Sequence, residues 1–446
     1  MKPTPLSFFS HLLSQNRQSN PLISGVAIDS RNVKRGDLFF ALPGNKVDGH
    51  DFLQDVAAKG GIAAVVHESY SKNCFGLSLL RVPHVLQALQ ELGRKVLQSR
   101  SCKVVGISGS VGKTTTKEFA KTLLETKYKV AASYASYNTD STLPLTILEA
   151  TGEEQVLVLE MGMCRPGEIA TLISIAPPDI ALLTTVAIQH ASHFPNGLQG
   201  ISQEKATLFS HPKTSLGILH REIPHFEDVV KTGVCPKMTF SLVEKNADYF
   251  LEFLSAAQVS ITHGRETAIL PFTLPAKVFA HNLLAACIIA RSLDVPWSNI
   301  AEAVWDLKLP SMRFERVEKQ GILFINDAYN ANPDSMKAAL ENLPPPPSTT
   351  GKRIAVLGEM NALGQYSDAG HTLIAKTAMP CVDLLLCIGS RAKIMVDIWE
   401  QEKKEVYFFE EKEALIEALK KIAQKGDVVL LKGARSYCLD KILDHF

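Results

Sequence analysis

The stretch Gly106 to Lys117, read as GISGSVGKTTTK, constrains this chain more than any other. It follows Lys103 to Ile107, an apolar run with the length and branched side chains of a short buried strand. It leads into Lys113 to Tyr128, which reads as a helix. Strand, glycine loop and helix in that order form a cradle for phosphate. Glycine lets the backbone approach an anion with no Cβ in the way, the freed N–H groups point at it, and the helix dipole favours its charge. In such a cradle Gly109, Ser110, Val111, Gly112, Lys113, Thr114 and Thr115 surround the anion, with Lys113 neutralising the outer phosphates and the Thr114 hydroxyl holding Mg²⁺. The spacing is G-x-x-G-x-x-G-K-T-T, with Ile107 where the general pattern G-x-x-x-x-G-K-[ST] has its first glycine. A glycine-rich turn with an incidental Gly-Lys-Thr is the alternative, and the flanking strand and helix favour a nucleoside triphosphate site.

At 446 residues the chain is too long for one core, and about 150 residues per domain suggests three. A formal charge of +1 gives no electrostatic reason to propose nucleic acid or an anionic membrane surface as partner. The eight cysteines are scattered with no C-x-x-C pair, which favours reduced, partly buried thiols in a cytosolic protein over a disulfide frame or zinc site. The start, MKPTPLSFFSHLL, lacks a small-residue cleavage site, and no later run approaches the ~18 apolar residues of a membrane span. The expectation is a cytoplasmic chain with no membrane insertion.

Residues 1–100 read as a small α/β unit, with strands at 26–28, 37–42 and 63–66, a helix at 51–59 and another from Pro83 to about Gln98. From 101 to 314 the order strand, loop, helix recurs, with strands at 103–107, 156–160 and 180–185, which argues a parallel sheet with helices on its faces. From 315 to 446 strands at 322–326, 353–357, 383–388, 405–409 and 428–432 alternate with helices, as in a doubly wound, Rossmann-like domain without a phosphate loop. The expected fold class is α/β in three domains: a small N-terminal unit, a central phosphate-loop ATPase-like sheet and the C-terminal doubly wound sheet.

Ligands of such sheets sit beyond the carboxyl ends of the strands. Glu160 ends one there, beside the phosphate loop, and can complete a Mg²⁺ shell with Thr114. His190 follows the strand at 180–185, and Lys205 lies on the next helix; spacing alone singles out neither, since most such residues are surface or packing groups. Three polar loops, Asp327 to Pro333, Gly358 to Gly364 and Lys432 to Arg435, stand at equivalent strand ends of the third domain and suggest a second binding face.

The phosphate loop, EMGMCRPGEI at 160–169, NDAYNANPDSM at 326–336, VLGEMNALG at 356–364 and LLKGAR at 430–435 together resemble the Mur ligase family over nearly the whole chain, as do DSRNVKRGDLFFALPG at 29–44 and DGHDF at 48–52. The phosphate loop is shared with folylpolyglutamate synthases; the AYNANP and VLGEM…LG runs point within the family to the activity that joins D-alanyl-D-alanine to UDP-N-acetylmuramoyl-tripeptide. The resemblance implies ATP and Mg²⁺ as cofactors and those two molecules as substrates. Ser30 and Arg31 would lie near the uridine diphosphate, and Asn138 would face the substrate. Glu160 and His190 would bind metal, and Lys205 would become an N-carbamate that also serves the metal. Asn282, Arg313 and Asp327 would contact the nucleotide. A monomer is expected.

Where relatives read N-N-x-x-G-x-P-L, this chain has Asn138 to Leu145 with Thr139 and Thr142 in place of Asn and Gly. Thr185 replaces the Asn that precedes the family histidine, and Val278 and Phe279 stand in the usual P-G-x-H-N segment. The phosphate and metal residues are intact, so activity is expected. The rivals are another family ligase, acting on a single amino acid or on folate, a slow nucleotide-dependent switch, and a scaffold with a vestigial loop.

Overall fold

The computed structural model describes residues 1–14, 20–44 and 47–446. Three sheets of four, nine and six strands follow one another along the chain, and a two-stranded ribbon, Thr4–Pro5 with Leu22–Ile23, precedes them.

The first sheet is parallel throughout, in the order Gly25–Ala27, Asp37–Phe40, Ala63–His67, Ser78–Val82. Side chains alternate across it, as strand geometry requires. Leu38, Phe40, Ala63 and Val65 face helix Val85–Gln98, while Phe39, Ala64 and Val66 face Leu53 and Val56 of helix Leu53–Ala58. Helix Val85–Gln98 also packs on helix Leu143–Glu149 of the next unit. A Cβ on its Gly93 would stand 3.0 Å from Pro144 Cβ, so the glycine sets how closely the two units approach.

The nine-stranded sheet runs in the order Glu266–Pro271, Gln258–His263, Tyr249–Ser255, Lys237–Ser241, Leu216–His220, Ile180–Leu183, Lys103–Ser108, Val156–Glu160, Val130–Ala132. Seven of these are parallel, as the strand and helix alternation predicts. The other two, Gln258–His263 and Glu266–Pro271, pair antiparallel as a meander. Their links at Ala256–Ala257 and Gly264–Arg265 are too short for any crossover, so antiparallel pairing is the only outcome. Helix Lys113–Glu125 buries Phe119, Leu123 and Leu124 between this sheet and helix Ala280–Ser292. Each such side chain contributes about 1.5–3 kcal/mol.

The third sheet has the order Glu315–Lys319, Ile322–Asn326, Val428–Lys432, Arg353–Gly358, Leu384–Ile388, Val406–Phe409, with only the first strand antiparallel. Ala355, Leu357, Leu385 and Cys387 face the helices that carry Met336, Ile374 and Trp399. Ile354, Val356, Leu384 and Leu386 face Leu415 and Leu419 on the other side. Helices on both faces make the inner strands, Arg353–Gly358, Leu384–Ile388 and Val428–Lys432, apolar at nearly every position, whereas the antiparallel edge strand Glu315–Lys319 is polar and largely exposed.

Candidate active site

Strand Lys103–Ser108 delivers the chain into a loop in which Gly109 (φ +147°) and Gly112 (φ +88°) hold backbone conformations that favour glycine. Space closes them too: a Cβ at Gly109 would stand 1.9 Å from Thr184 Oγ1, and one at Gly112 2.5 Å from Asn282 Nδ2. The loop is fastened to the segment after strand Ile180–Leu183. Ser110 N donates to the Thr185 carbonyl at 2.8 Å, the Ser110 hydroxyl to the Ala187 carbonyl at 3.0 Å, and the Thr184 hydroxyl to the Val111 carbonyl at 2.6 Å. Helix Lys113–Glu125 starts at once after Gly112, so its first N–H groups, which have no acceptor within the helix, face the loop's concavity.

Lys113 folds back over the loop, its ammonium donating to the Gly109 carbonyl at 2.8 Å. Burial lowers its pKa, with Glu160 opposing the shift and Arg313 adding to it. Glu160, at the end of strand Val156–Glu160, is 1% exposed, yet both its carboxylate oxygens are partnered. Oε2 accepts from the Thr114 hydroxyl at 2.8 Å and Oε1 from Asn138 Nδ2 at 2.7 Å. Ser136 Oγ lies 3.1 Å from Thr114 Oγ1.

Two groups come from further along the chain. His190 sits at φ +55° after strand Ile180–Leu183, its Nε2 3.8 Å from Cys164 Sγ. Burial first, then Lys205 and Lys113, pull its pKa down to about 4, so the imidazole is neutral at neutral pH. Lys205, on helix Gly197–Ala206, is 2% exposed, and burial followed by Lys113 holds its pKa well below the ordinary lysine value. Among the described residues no hydrogen bond or ion pair reaches its amine. Lys113, Thr114, Asn138, Glu160, His190 and Lys205 line one cavity of about 310 Å³, and Arg313, Tyr329, Asn330 and Asn332 close it from the side of the six-stranded sheet.

A second cavity of about 80 Å³ continues from it, sharing Val111, Gly112, Thr114, Arg313 and Ser335. Phe279 and Phe314, edge to face at 6.0 Å, give it aromatic walls, and Asn282 holds one end by donating to Thr116 Oγ1 at 2.9 Å and the Gly112 carbonyl at 3.2 Å. At the other end the buried Lys432 ammonium meets Asp327 Oδ2 at 2.5 Å and the Asn330 carbonyl at 3.0 Å, and Phe314 N donates to Asp327 Oδ1 at 3.1 Å. The Arg313 guanidinium lies over the Tyr329 ring at 4.2 Å. A cationic phosphate cradle that opens into an aromatic slot suits a nucleoside triphosphate.

Three families match in register with the three sheets: the Mur ligase family, catalytic domain, over residues 22–96; the Mur ligase middle domain over 107–290; and the Mur ligase, glutamate ligase domain over 312–435. The UDP-N-acetylmuramoyl-tripeptide–D-alanyl-D-alanine ligase of Bacillus subtilis (strain 168) is 30% identical over 441 residues, 97% of this chain and 94% of that protein.

The chain belongs to the Mur ligase family.

The enzyme of the same name from Treponema pallidum is 31% identical over 440 residues, 94% of this chain and 92% of its own. Among solved structures, a MurF crystal structure from Acinetobacter baumannii superposes with a TM-score of 0.86 at 25% identity, covering 100% of this chain and 98% of that one. MurF from Thermotoga maritima, solved in complex with ADP, gives a TM-score of 0.76 at 26% identity over 95% and 96% of the two chains. As a Mur ligase the chain uses ATP.

A buried carboxylate and a hydroxyl already aimed at each other beside the phosphate cradle are donors that suit a hard divalent cation. Of the residues singled out from sequence, those of the phosphate loop, Asn138, Glu160, His190, Lys205 and Arg313 share the larger cavity, apart from Gly109 and Thr115. Gly109 lies under Lys113, while Thr115, Asn282 and Asp327 line the smaller cavity. Ser30 and Arg31 line neither; Arg31 is exposed and paired with Asp29 at 2.6 Å in the turn that follows strand Gly25–Ala27. Thr139 and Thr142, where the chain departs from the family pattern, bond to each other through their hydroxyls at 2.9 Å and shape the turn before helix Leu143–Glu149. Ser136, Cys164, Glu168 and Ser335 also line the larger cavity and carry no local spacing signal that would single them out.

Proposed function

We propose that this chain is the ATP-dependent ligase that joins D-alanyl-D-alanine to UDP-N-acetylmuramoyl-tripeptide, giving UDP-N-acetylmuramoyl-pentapeptide, ADP and phosphate. The observation that carries this reading is the match along 97% of the chain to a ligase of that name, together with one cavity in which Lys113, Thr114, Glu160 and Lys205 converge. The three domains are taken as 1–100 for the UDP end of the substrate, 101–314 for ATP and 315–446 for closure over the nucleotide. The chain is read as a cytoplasmic monomer; no helix among the described residues is long and apolar enough to cross a membrane.

A carboxylate is a poor electrophile, so it must first be activated. The tripeptide carboxylate oxygen attacks the γ-phosphorus of ATP, ADP leaves, and an acyl phosphate forms. The loop N–H groups and Lys113 hold the phosphates and stabilise charge on the transferring group, and the phosphate anions in turn favour the charged form of Lys113. The amine of D-alanyl-D-alanine then attacks the carbonyl carbon, loses a proton, and expels phosphate. Thr114, Glu160 and His190 would hold Mg²⁺, which when bound neutralises charge on the phosphates. Asn138 keeps Glu160 oriented, and Arg313, Tyr329 and Asn330 wall the cavity against water that would hydrolyse the acyl phosphate. Lys205 is read as carbamylated: its conversion to an anion would replace two mutually repelling ammonium groups, Lys113 and Lys205, with an attractive pair. Ser30 and Arg31 are assigned to the uridine-diphosphate end, and Asn282, Arg313 and Asp327 to the nucleotide.

The test is phosphate release with UDP-N-acetylmuramoyl-tripeptide and Mg-ATP, with and without D-alanyl-D-alanine, following the product by mass. Release that requires the dipeptide, with a pentapeptide product, is expected. Release indifferent to the dipeptide, or a different amine in the product, would overturn the assignment.

A further inference from the structure

Outside both cavities, three metal-ligating side chains meet at the carboxyl edge of the nine-stranded sheet. His220 ends strand Leu216–His220, Glu222 follows two residues later, and His281 opens helix Ala280–Ser292. Each offers one ligand atom, and these atoms all lie within 4.8 Å of one another. The His220 and His281 rings stand edge to face at 4.7 Å, and Phe240 stacks on His220 at 5.1 Å and fixes its plane.

Supporting groups hold two of the three ligands. The Val278 carbonyl accepts from one ring nitrogen of His281, which leaves the other with its lone pair free. The Ser241 hydroxyl donates to Glu222 Oε1, and that hydroxyl is itself held by Val243 N at 2.8 Å and Glu244 N at 2.7 Å, so Oε2 is the oxygen left to face the imidazoles. His220 Nε2 is buried against Glu222 Oε2 as an ion pair, and against the upward pull of burial this contact helps hold the Glu222 carboxylate pKa down at about 2. A cation of suitable softness would replace the proton that this nitrogen and carboxylate oxygen share, with a small parting of the two to make room for it.

We propose that His220, Glu222 and His281 form a binding site for a borderline transition-metal ion of the Zn²⁺ class, with a fourth position open. Two imidazoles and one carboxylate suit Zn²⁺, Co²⁺ or Ni²⁺ and not the oxygen-seeking Mg²⁺ of the phosphate cradle. The site joins strand Leu216–His220 to the helix whose next residue, Asn282, holds the phosphate loop, so metal binding would also brace the start of that helix.

The test uses the full chain, stripped of metal by chelator and without nucleotide. Zn²⁺ uptake is measured by calorimetry, and Co²⁺ by the visible absorption of a tetrahedral nitrogen and oxygen site. One equivalent is expected in the parent chain, weakened at least about tenfold in Glu222→Gln and in His220→Asn. Circular dichroism identifies a variant that has not folded, and the other then decides. Absence of Zn²⁺ uptake by the parent chain, or uptake unchanged in a folded variant, would overturn the proposal.

Discussion

The Thr114 hydroxyl donates to Glu160 Oε2 across 2.8 Å, tying the first turn of helix Lys113–Glu125 to the end of strand Val156–Glu160. A cation bound there takes over both oxygens. Glu160→Gln keeps the shape and removes the charge, so the Mg²⁺ concentration needed for phosphate release should rise about tenfold or more and turnover should fall about 100-fold. A Mg²⁺ titration of phosphate release measures both; an unchanged Mg²⁺ requirement would take Glu160 out of the metal shell.

Lys113→Ala removes the ammonium that folds over the loop at Gly109. A positioned donor on the transferring phosphoryl group is worth about 10²–10³ in kcat. Single-turnover phosphate release should drop by that factor, and a near-normal rate would refute the role.

A carbamate forms from a neutral amine and carbon dioxide. Burial, with Lys113 second, holds the Lys205 pKa well below the ordinary value, so its neutral form is available at a pH where an exposed lysine is charged. As pH falls through that lowered pKa the amine takes up a proton and stops reacting. Activity should therefore fall with acidification and recover in part with added bicarbonate, and Lys205→Ala should be inactive and partly rescued by a short carboxylic acid. Indifference to bicarbonate together with no rescue would leave Lys205 a structural lysine.

Lys432 is 1% exposed and meets Asp327 at 2.5 Å, so Asp327→Ala strands a buried ammonium. The expected cost is about 3 kcal/mol near neutral pH, read from urea unfolding. Burial already lowers the Lys432 pKa. In the variant the folded state binds fewer protons than the unfolded one, and the deficit should shrink as pH rises toward 10.5, the unfolded value. A pH-independent deficit would mean that lost packing, and not the charge, is responsible.

His190 and His281 are both pulled down to about 4 from 6.5, mainly by burial. Folded pKa below unfolded pKa means that the unfolded chain binds more protons between those values, so the contribution of these two histidines to stability is constant above about 6.5 and falls as pH drops toward 4. The slope is at most about 1.4 kcal/mol per pH unit for each group. Urea midpoints from neutral to acid pH should follow this course in the parent chain and flatten in His281→Gln. An unchanged profile in that variant would show that His281 is not buried neutral.

The sequence made the phosphate cradle legible because strand, glycine loop and helix lie within one continuous stretch, and each strand end near it could be marked by its apolar run. Tyr249 to Pro271 escaped that reading. Its strands are joined by links of two residues with no helix between, and the scan for strand, loop and helix passes over such a meander. Cys164 and Ser136 escaped for another reason: they reach the cavity only because strands far apart in sequence are neighbours in the sheet, as Lys103–Ser108 and Val156–Glu160 are. His190 and Lys205 came from the family resemblance, since nothing in their spacing marks a lone histidine or lysine; burial in a shared cavity does.

Cys164 stands exposed on the wall of the cavity that holds Lys113 and His190, while Cys287 and Cys387 are sealed in cores. Partial burial first, and Glu168 second, push its thiol pKa up, so a warhead in free solution would meet a sluggish nucleophile. Attached to a scaffold that already occupies the phosphate cradle, the same warhead would be delivered to this sulfur and to no other cysteine of the chain. Selectivity for a covalent inhibitor would then come from where the molecule binds, and its intrinsic reactivity could be kept low.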